Sequence, residues 1–156
     1  MTKPDDIAST PNRVPWPPLL LGASLLGAVL MNQLVPLNVG RQSPEIAIGL
    51  LVAAFGLDAW VFEIFRRHNT EIMPHKPARV LVTEGPFRWS RNPIYVGNVL
   101  IIFGGAALTG SLWFLVAAAV FVVAVTRLAI LREERHLAAL FGGAWEEYRA
   151  RVRRWL

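Results

Sequence analysis

The chain has no cysteine, which excludes disulfides, thiolate metal sites and cysteine nucleophiles. Charge is also scarce, at 17% of 156 residues, against about 25% in ordinary soluble domains. No Gly-x-Gly-x-x-Gly turn, phosphate-binding loop or Gly-x-Ser-x-Gly elbow occurs. Dinucleotide binding of the Rossmann type, P-loop hydrolysis and serine hydrolysis therefore lack their usual starting points. The three histidines, His68, His75 and His136, have no metal-ligand spacing such as His-x-x-x-His, so no metal is expected.

What the chain has instead is apolar length. Hydrophobic residues make up 54% and the mean hydropathy is +0.41, above the ~45–50% apolar content of soluble domains. The length fits one domain. Residues 1–18 carry Pro4, Pro11, Pro15, Pro17 and Pro18, which deny a helix its backbone donors. They read as an irregular arm, with Trp16 as an interfacial anchor. The late, long apolar run that follows is unlike a cleaved leader.

Residues 19–156 read as a single all-α, multi-pass membrane domain with four spans, about 19–37, 45–65, 92–108 and 112–131. Each approaches the ~20 residues that cross a bilayer. Pro93 starts the third span at a helix position that needs no donor. Thr109-Gly110-Ser111 is too short for anything but an antiparallel hairpin between spans three and four. Of the 16 Lys and Arg, only Arg41 falls on the side opposite the termini. Positive charge collects on the cytoplasmic side, so both termini, the polar loop 66–91 and the tail 132–156 are expected there. The net charge of +5 is spread among spans and suits lipid headgroups better than nucleic acid.

In the tail, Leu137, Leu140, Phe141, Trp145, Tyr148 and Val152 recur at steps of three and four, predicting an amphipathic helix that Gly142-Gly143 weakens in the middle. Asp58 and Glu63 fall in or near the second span, where acids are costly and hence candidates for function. Glu63 also has a plain reading, as a headgroup-level partner of Arg66 and Arg67. Arg91, Asn92 and Tyr95 stand three and four apart and would share a helix face, which Asn98 continues inward. Tyr and Arg at span ends are equally common as anchors. Glu133 and Glu134, flanked by Arg132 and Arg135, could be a solvated charge run.

Taken in order, Leu81-Val82-x-x-Gly85-Pro86-Phe87-Arg88, Arg91-Asn92-Pro93-x-Tyr95-x-Gly97, Glu133-Glu134, Phe141-Gly142, Tyr148 and Val152-Arg153-Arg154 form a pattern. Over residues 66–156 the chain resembles the integral-membrane isoprenylcysteine carboxyl methyltransferase and phospholipid N-methyltransferase superfamily. The resemblance implies S-adenosylmethionine bound on the cytosolic side by Val80, Leu81, Val82, Phe87, Arg91, Asn92, Pro93, Ile94, Tyr95 and Glu133. A carboxylate suits the ribose hydroxyls or the amino group, and aromatic faces suit a sulfonium.

The isoprenylcysteine branch carries histidine where this chain has Asn92, and its acceptor-holding arginine aligns near Ala129. Arg127, Arg132 and Glu134 are the candidates to position the acceptor, which could be an isoprenylcysteine-like carboxylate, a phospholipid amine or a thiol. An amine needs deprotonation, for which Glu134 or Asp58 is a candidate. Two other readings stand beside this one. Sterol-type reductases share a similar Arg-x-Pro-x-Tyr region and use a nicotinamide cofactor, and a non-catalytic membrane protein could keep the fold.

Overall fold

The computed structural model describes residues 16–68 and 80–156. Most of the proline-rich arm and the middle of the polar loop lie outside them. The described residues are all-helical, with no strand.

Helix α1 is Trp16–Leu34. It takes in Pro17 and Pro18, which the proline content alone assigned to the arm, because the first turn of a helix needs no amide donors. Helix α2 is Pro44–Arg67 and opens with proline in its first turn. A 3-10 turn, Gly85–Arg88, precedes α3, Pro93–Thr109. Helix α4, Leu112–Val125, runs without a break through a π turn, Thr126–Ile130, into α5, Leu131–Phe141. Helix α6, Gly143–Arg151, closes the chain.

Three helices are long and apolar enough to cross a membrane: Trp16–Leu34, Pro44–Arg67 and the continuous Leu112–Phe141 of 30 residues. Helix α3 is a shorter apolar helix of 17 residues. Helix α3 sits between α2 and α4, and α1 packs chiefly on α4. The main core joins Tyr95, Ile102, Phe114, Phe121, Val125 and Ile130. Large side chains point outward from the same helices, including Leu30, Val52, Phe55, Phe62, Val120 and Val123. A surface this apolar is stable against lipid and a liability in water.

The α2–α3 contact is antiparallel and close. A Cβ built on Gly104 would lie 3.6 Å from the Ala47 carbonyl oxygen, and one on Gly97 would lie 3.5 Å from that of Ala54. Small residues let helix backbones approach where lipid offers no hydrophobic drive for association.

At one end of the bundle the chain is stitched by backbone bonds. Val39 N–H donates to the Gly110 carbonyl at 2.9 Å, Leu112 N–H to that of Leu37 at 2.8 Å and Ser43 N–H to that of Ala107 at 2.8 Å. Trp113 Nε1–H donates to the Val35 carbonyl at 2.7 Å, and Ser111 Oγ accepts from Trp113 N–H at 3.3 Å to cap α4. Gly110 turns the hairpin at φ +68°. A Cβ there would collide with the Gly40 carbonyl, so both the turn and the close approach demand glycine.

The glycine pair expected to weaken the tail helix breaks it into two. Gly142, at φ +50° and ψ −121°, divides it into α5 and α6. Trp145 and Tyr148 are buried with Val61, Ile64, Val82 and Phe87, and Leu137, Phe141 and Val152 pack against them. Leu140 is exposed, because the break at Gly142 ends the helical register that placed it on the apolar face.

Gly110→Ala should lower the thermal midpoint of the detergent-solubilised protein, by about 1 kcal/mol or more of stability. Gly49→Ala, where an added Cβ meets nothing within 4 Å, should leave the midpoint unchanged.

Candidate functional site

At the other end of the bundle the first turn of α3 meets α5 and the C-terminal residues. Pro93 is the first helical residue and Asn92 its N-cap. Arg91 and Asn92 therefore precede the helix instead of sharing its face with Tyr95. Their roles are set by what folds back on them. Arg91 N–H donates to the Arg153 carbonyl at 2.9 Å. Asn92 Nδ2 donates to the Arg154 carbonyl at 2.9 Å, and Ser90 Oγ to the same oxygen at 3.3 Å. The C-terminal residues are thus laid across the 90–92 turn as a strap.

The two adjacent acids divide. Tyr95 Oη donates to Glu133, with oxygens at 2.9 and 3.1 Å. Glu134 points to the strap, where Arg154 grips it through a fork, Nε to Oε1 at 2.9 Å and Nη2 to Oε2 at 2.7 Å. Arg91 Nη1 also lies 3.2 Å from Glu134 Oε1. Bidentate, charge-assisted pairs of this kind are the stronger hydrogen bonds. The Glu134 hydrogen bond holds the Arg154 proton more tightly than usual, outweighing the cost of partial burial. Two guanidiniums occupy the Glu134 oxygens, which leaves this carboxylate poorly placed to take a proton from an amine.

Beneath the clamp, the Arg91 guanidinium lies over the Trp145 ring at 5.6 Å, a cation–π contact. Tyr148 Oη donates to the Phe87 carbonyl at 2.8 Å. Burial pushes the Tyr148 phenol up to about 12, against the smaller opposing effect of the Arg91 charge. The Phe87 ring packs on Phe65 at 5.4 Å within the core that holds Val82. Leu81 and Ile94 border that core, and Ile94 also touches the main one. Val80 is exposed.

Among the acceptor-positioning candidates, Arg127 is exposed on the π turn, Arg132 is partly buried directly before Glu133, and Ala129 is fully buried. Glu63 is half-buried and pairs with the exposed Arg66 at 2.7 Å and Arg67 at 2.9 Å, as a headgroup-level acid would. Asp58 faces Gly97, two positions and so about 200° around α3 from Tyr95. That geometry keeps it off the Tyr95 face. Among the described residues, no group of three or more His, Cys, Asp or Glu could hold a metal.

Residue-level reading of the sequence missed Arg154, Ser90 and Trp145 as parts of this constellation. The basic run at 149–154 was legible as charge, but its reach to Glu134 depends on the turn at Gly142.

Among the described residues, Arg91 Nε has no hydrogen-bond partner although it is buried, and the same holds of both ring nitrogens of His136 on α5. Glu133 accepts from the Tyr95 phenol. A carboxylate offers about four lone-pair sites, so this arrangement can bind a ligand that brings hydroxyl or ammonium donors together with an anionic group.

The model of the phospholipid methyltransferase family (PEMT) matches residues 44–144, which cover α2, α3, the hairpin and both acids. Comparison with curated proteins and with solved structures returns no match.

Glu134→Ala would strand two guanidiniums, of which Arg91 is only 12% exposed. Removing one partner of such a pair costs about 3–5 kcal/mol, and the thermal midpoint should fall markedly. A midpoint within error of the parent would show that the clamp carries no stability.

Proposed function

The chain belongs to the phospholipid methyltransferase family, and on that premise we propose that it methylates a membrane lipid with S-adenosylmethionine as donor. The observation that supports this most is the Tyr95–Glu133 pair, which brings a motif from the start of α3 against one from the end of the α4–α5 helix. When bound, S-adenosylmethionine supplies a methyl on a sulfonium, displaced in line by the acceptor's lone pair as the carbon–sulfur electrons leave on sulfur.

The residues present fit such a donor. Glu133 keeps lone pairs for ribose hydroxyls or an ammonium, with its rotamer fixed by Tyr95. Arg91 Nε, buried and unpartnered, is a donor for a carboxylate. Ile94 and the apolar first turn of α3 exclude water, which strengthens each of these contacts. The main work of the chain is to hold both reactants in line. The Arg154–Glu134 fork and the strap bonds to Arg91 and Asn92 preorganise that geometry.

We place this site at the cytoplasmic face, with four crossings. Helix α3, at 17 residues, spans about 25 Å at ~1.5 Å per residue, at the short end of what crosses a ~30 Å hydrocarbon core. Among the described residues, Arg41 is the one basic residue in the segment joining α1 to α2, while the other Arg residues lie toward the opposite ends of the helices, the distribution expected of a cytoplasmic site end. A phospholipid acceptor then enters from the bilayer while the soluble donor enters from the cytosol.

Tyr95→Ala and Glu133→Ala should each weaken S-adenosylmethionine binding at least tenfold, about 1.4 kcal/mol, in a titration of solubilised protein. Labelled methyl should pass from the donor into a lipid extract with the parent and fall with both variants. Binding of NADPH in place of S-adenosylmethionine would overturn the proposal in favour of a reductase.

A further inference from the structure

Asp58 is a carboxylate on a membrane helix that the site above does not use. Its Oδ1 is buried and has no hydrogen-bond partner among the described residues. It follows Ala47 and Ala54 along the face of α2 that packs on α3, and Val61 is buried one turn further on. A position in that row is ordinarily apolar, and an acid in a bilayer is expensive enough to need a purpose. The space for its carboxylate comes from Gly97, where a Cβ would stand 2.8 Å from Asp58 Oδ1.

Its depth can be read from its neighbours. Trp60 and Trp89 meet edge to face at 5.7 Å and are 45% and 61% exposed. Exposed tryptophans on a membrane protein mark the headgroup level. Asp58 precedes Trp60 by two residues, about 3 Å of helix rise, and so lies just beneath that level. One turn beyond Trp60, Glu63, Arg66 and Arg67 form exposed ion pairs, as groups clear of the hydrocarbon do. The antiparallel pairing sets Asp58 beside Gly97, about 3 Å of helix rise from the level of Tyr95. The outer face of α2 on either side, at Phe55 and Phe62, is open to lipid.

We propose that Asp58 is a recognition group for the ammonium of an amine-bearing phospholipid. With Oδ1 turned into the seam, the rest of this half-buried carboxylate can take the N–H donors and the positive charge of a protonated primary or secondary amine, at the depth where a lipid carries its headgroup. The faces of α3 that look toward Asp58 and toward Tyr95 are about 10 Å apart, the thickness of a helix. Asp58 therefore selects lipid at the rim and is a positioning residue, not the base that removes a proton during transfer. This assignment rests on the proposed lipid methyltransferase reading for its purpose, but its binding step can be tested alone.

The test uses full-length protein in nanodiscs of phosphatidylethanolamine mixed with phosphatidylglycerol, which has no amine. Native mass spectrometry reads which lipid is retained, and S-adenosylmethionine affinity is measured in parallel. The parent should retain phosphatidylethanolamine preferentially. Asp58→Asn, isosteric but uncharged, should reduce that preference at least fivefold while leaving S-adenosylmethionine affinity unchanged. Gly97→Ala, which crowds the carboxylate, should reduce it as well.

A parent with no preference overturns the proposal, and so does an Asp58→Asn variant that keeps it. A loss seen with Gly97→Ala alone marks Asp58 as seam packing and overturns it too. If the preference depends on Asp58 but S-adenosylmethionine does not bind, the recognition site stands and the methyltransferase reading falls.

Discussion

Glu134 shares its two carboxylate oxygens between Arg154 and Arg91, and this clamp ties together three segments that are remote in sequence. It joins the end of the polar loop, the α5 extension of the long α4 helix and the C-terminal strap. With 15% of the Glu134 side chain exposed, the charges are largely withdrawn from water. Such a pair adds modest net stability but is costly to leave half made. Its effect here is geometric. Once Arg154 is gripped, its carbonyl is in place to receive Asn92 and Ser90, and the Arg153 carbonyl to receive Arg91. The start of α3 is thereby pinned, and Tyr95 is presented to Glu133.

The bilayer explains why so much is invested at one rim. Between helices in lipid the driving forces are close packing and polar contacts. The middle of the bundle relies on the first, through Gly97 and Gly104 against α2. The far end relies on backbone bonds between residues 35–43 and the α3–α4 hairpin. Among the described residues, the buried ion pairs gather at the opposite end, where the proposed function brings a soluble donor and a lipid acceptor together. Asp58 extends that chemistry to the lipid side of α3.

The helices were legible because their ends carry local signals. Pro44 and Pro93 open α2 and α3, and Thr109-Gly110-Ser111 closes the hairpin; the expected spans 45–65 and 92–108 meet Pro44–Arg67 and Pro93–Thr109 closely. The boundary expected at 131–132 is a change from apolar to charged sequence and not a change of backbone, since the helix continues to Phe141. Within it the π turn at Thr126–Ile130 adds a residue to the turn and rotates all that follows. Counting along a regular helix from Leu112 could not aim Glu133. Such turns are frequent near functional sites.

The acids themselves illustrate the remaining gap. Composition made Glu133-Glu134 a charge run, and resemblance alone assigned Glu133 to the cofactor. Their division between Tyr95 and Arg154 requires the fold of α6, which hangs on a positive φ at Gly142. Trp145 shows the same dependence: periodicity marked it apolar, but its place beneath Arg91 follows only once the tail turns back.

The coupling between Tyr95 and Glu133 is best measured by a double-mutant cycle on S-adenosylmethionine affinity, using Tyr95→Phe, Glu133→Gln and both together. If the phenol holds the carboxylate for the ligand, the double variant should lose less than the sum of the single losses, by at least about 0.5 kcal/mol. Strictly additive losses, or no loss in any variant, would contradict a cofactor site built on this pair.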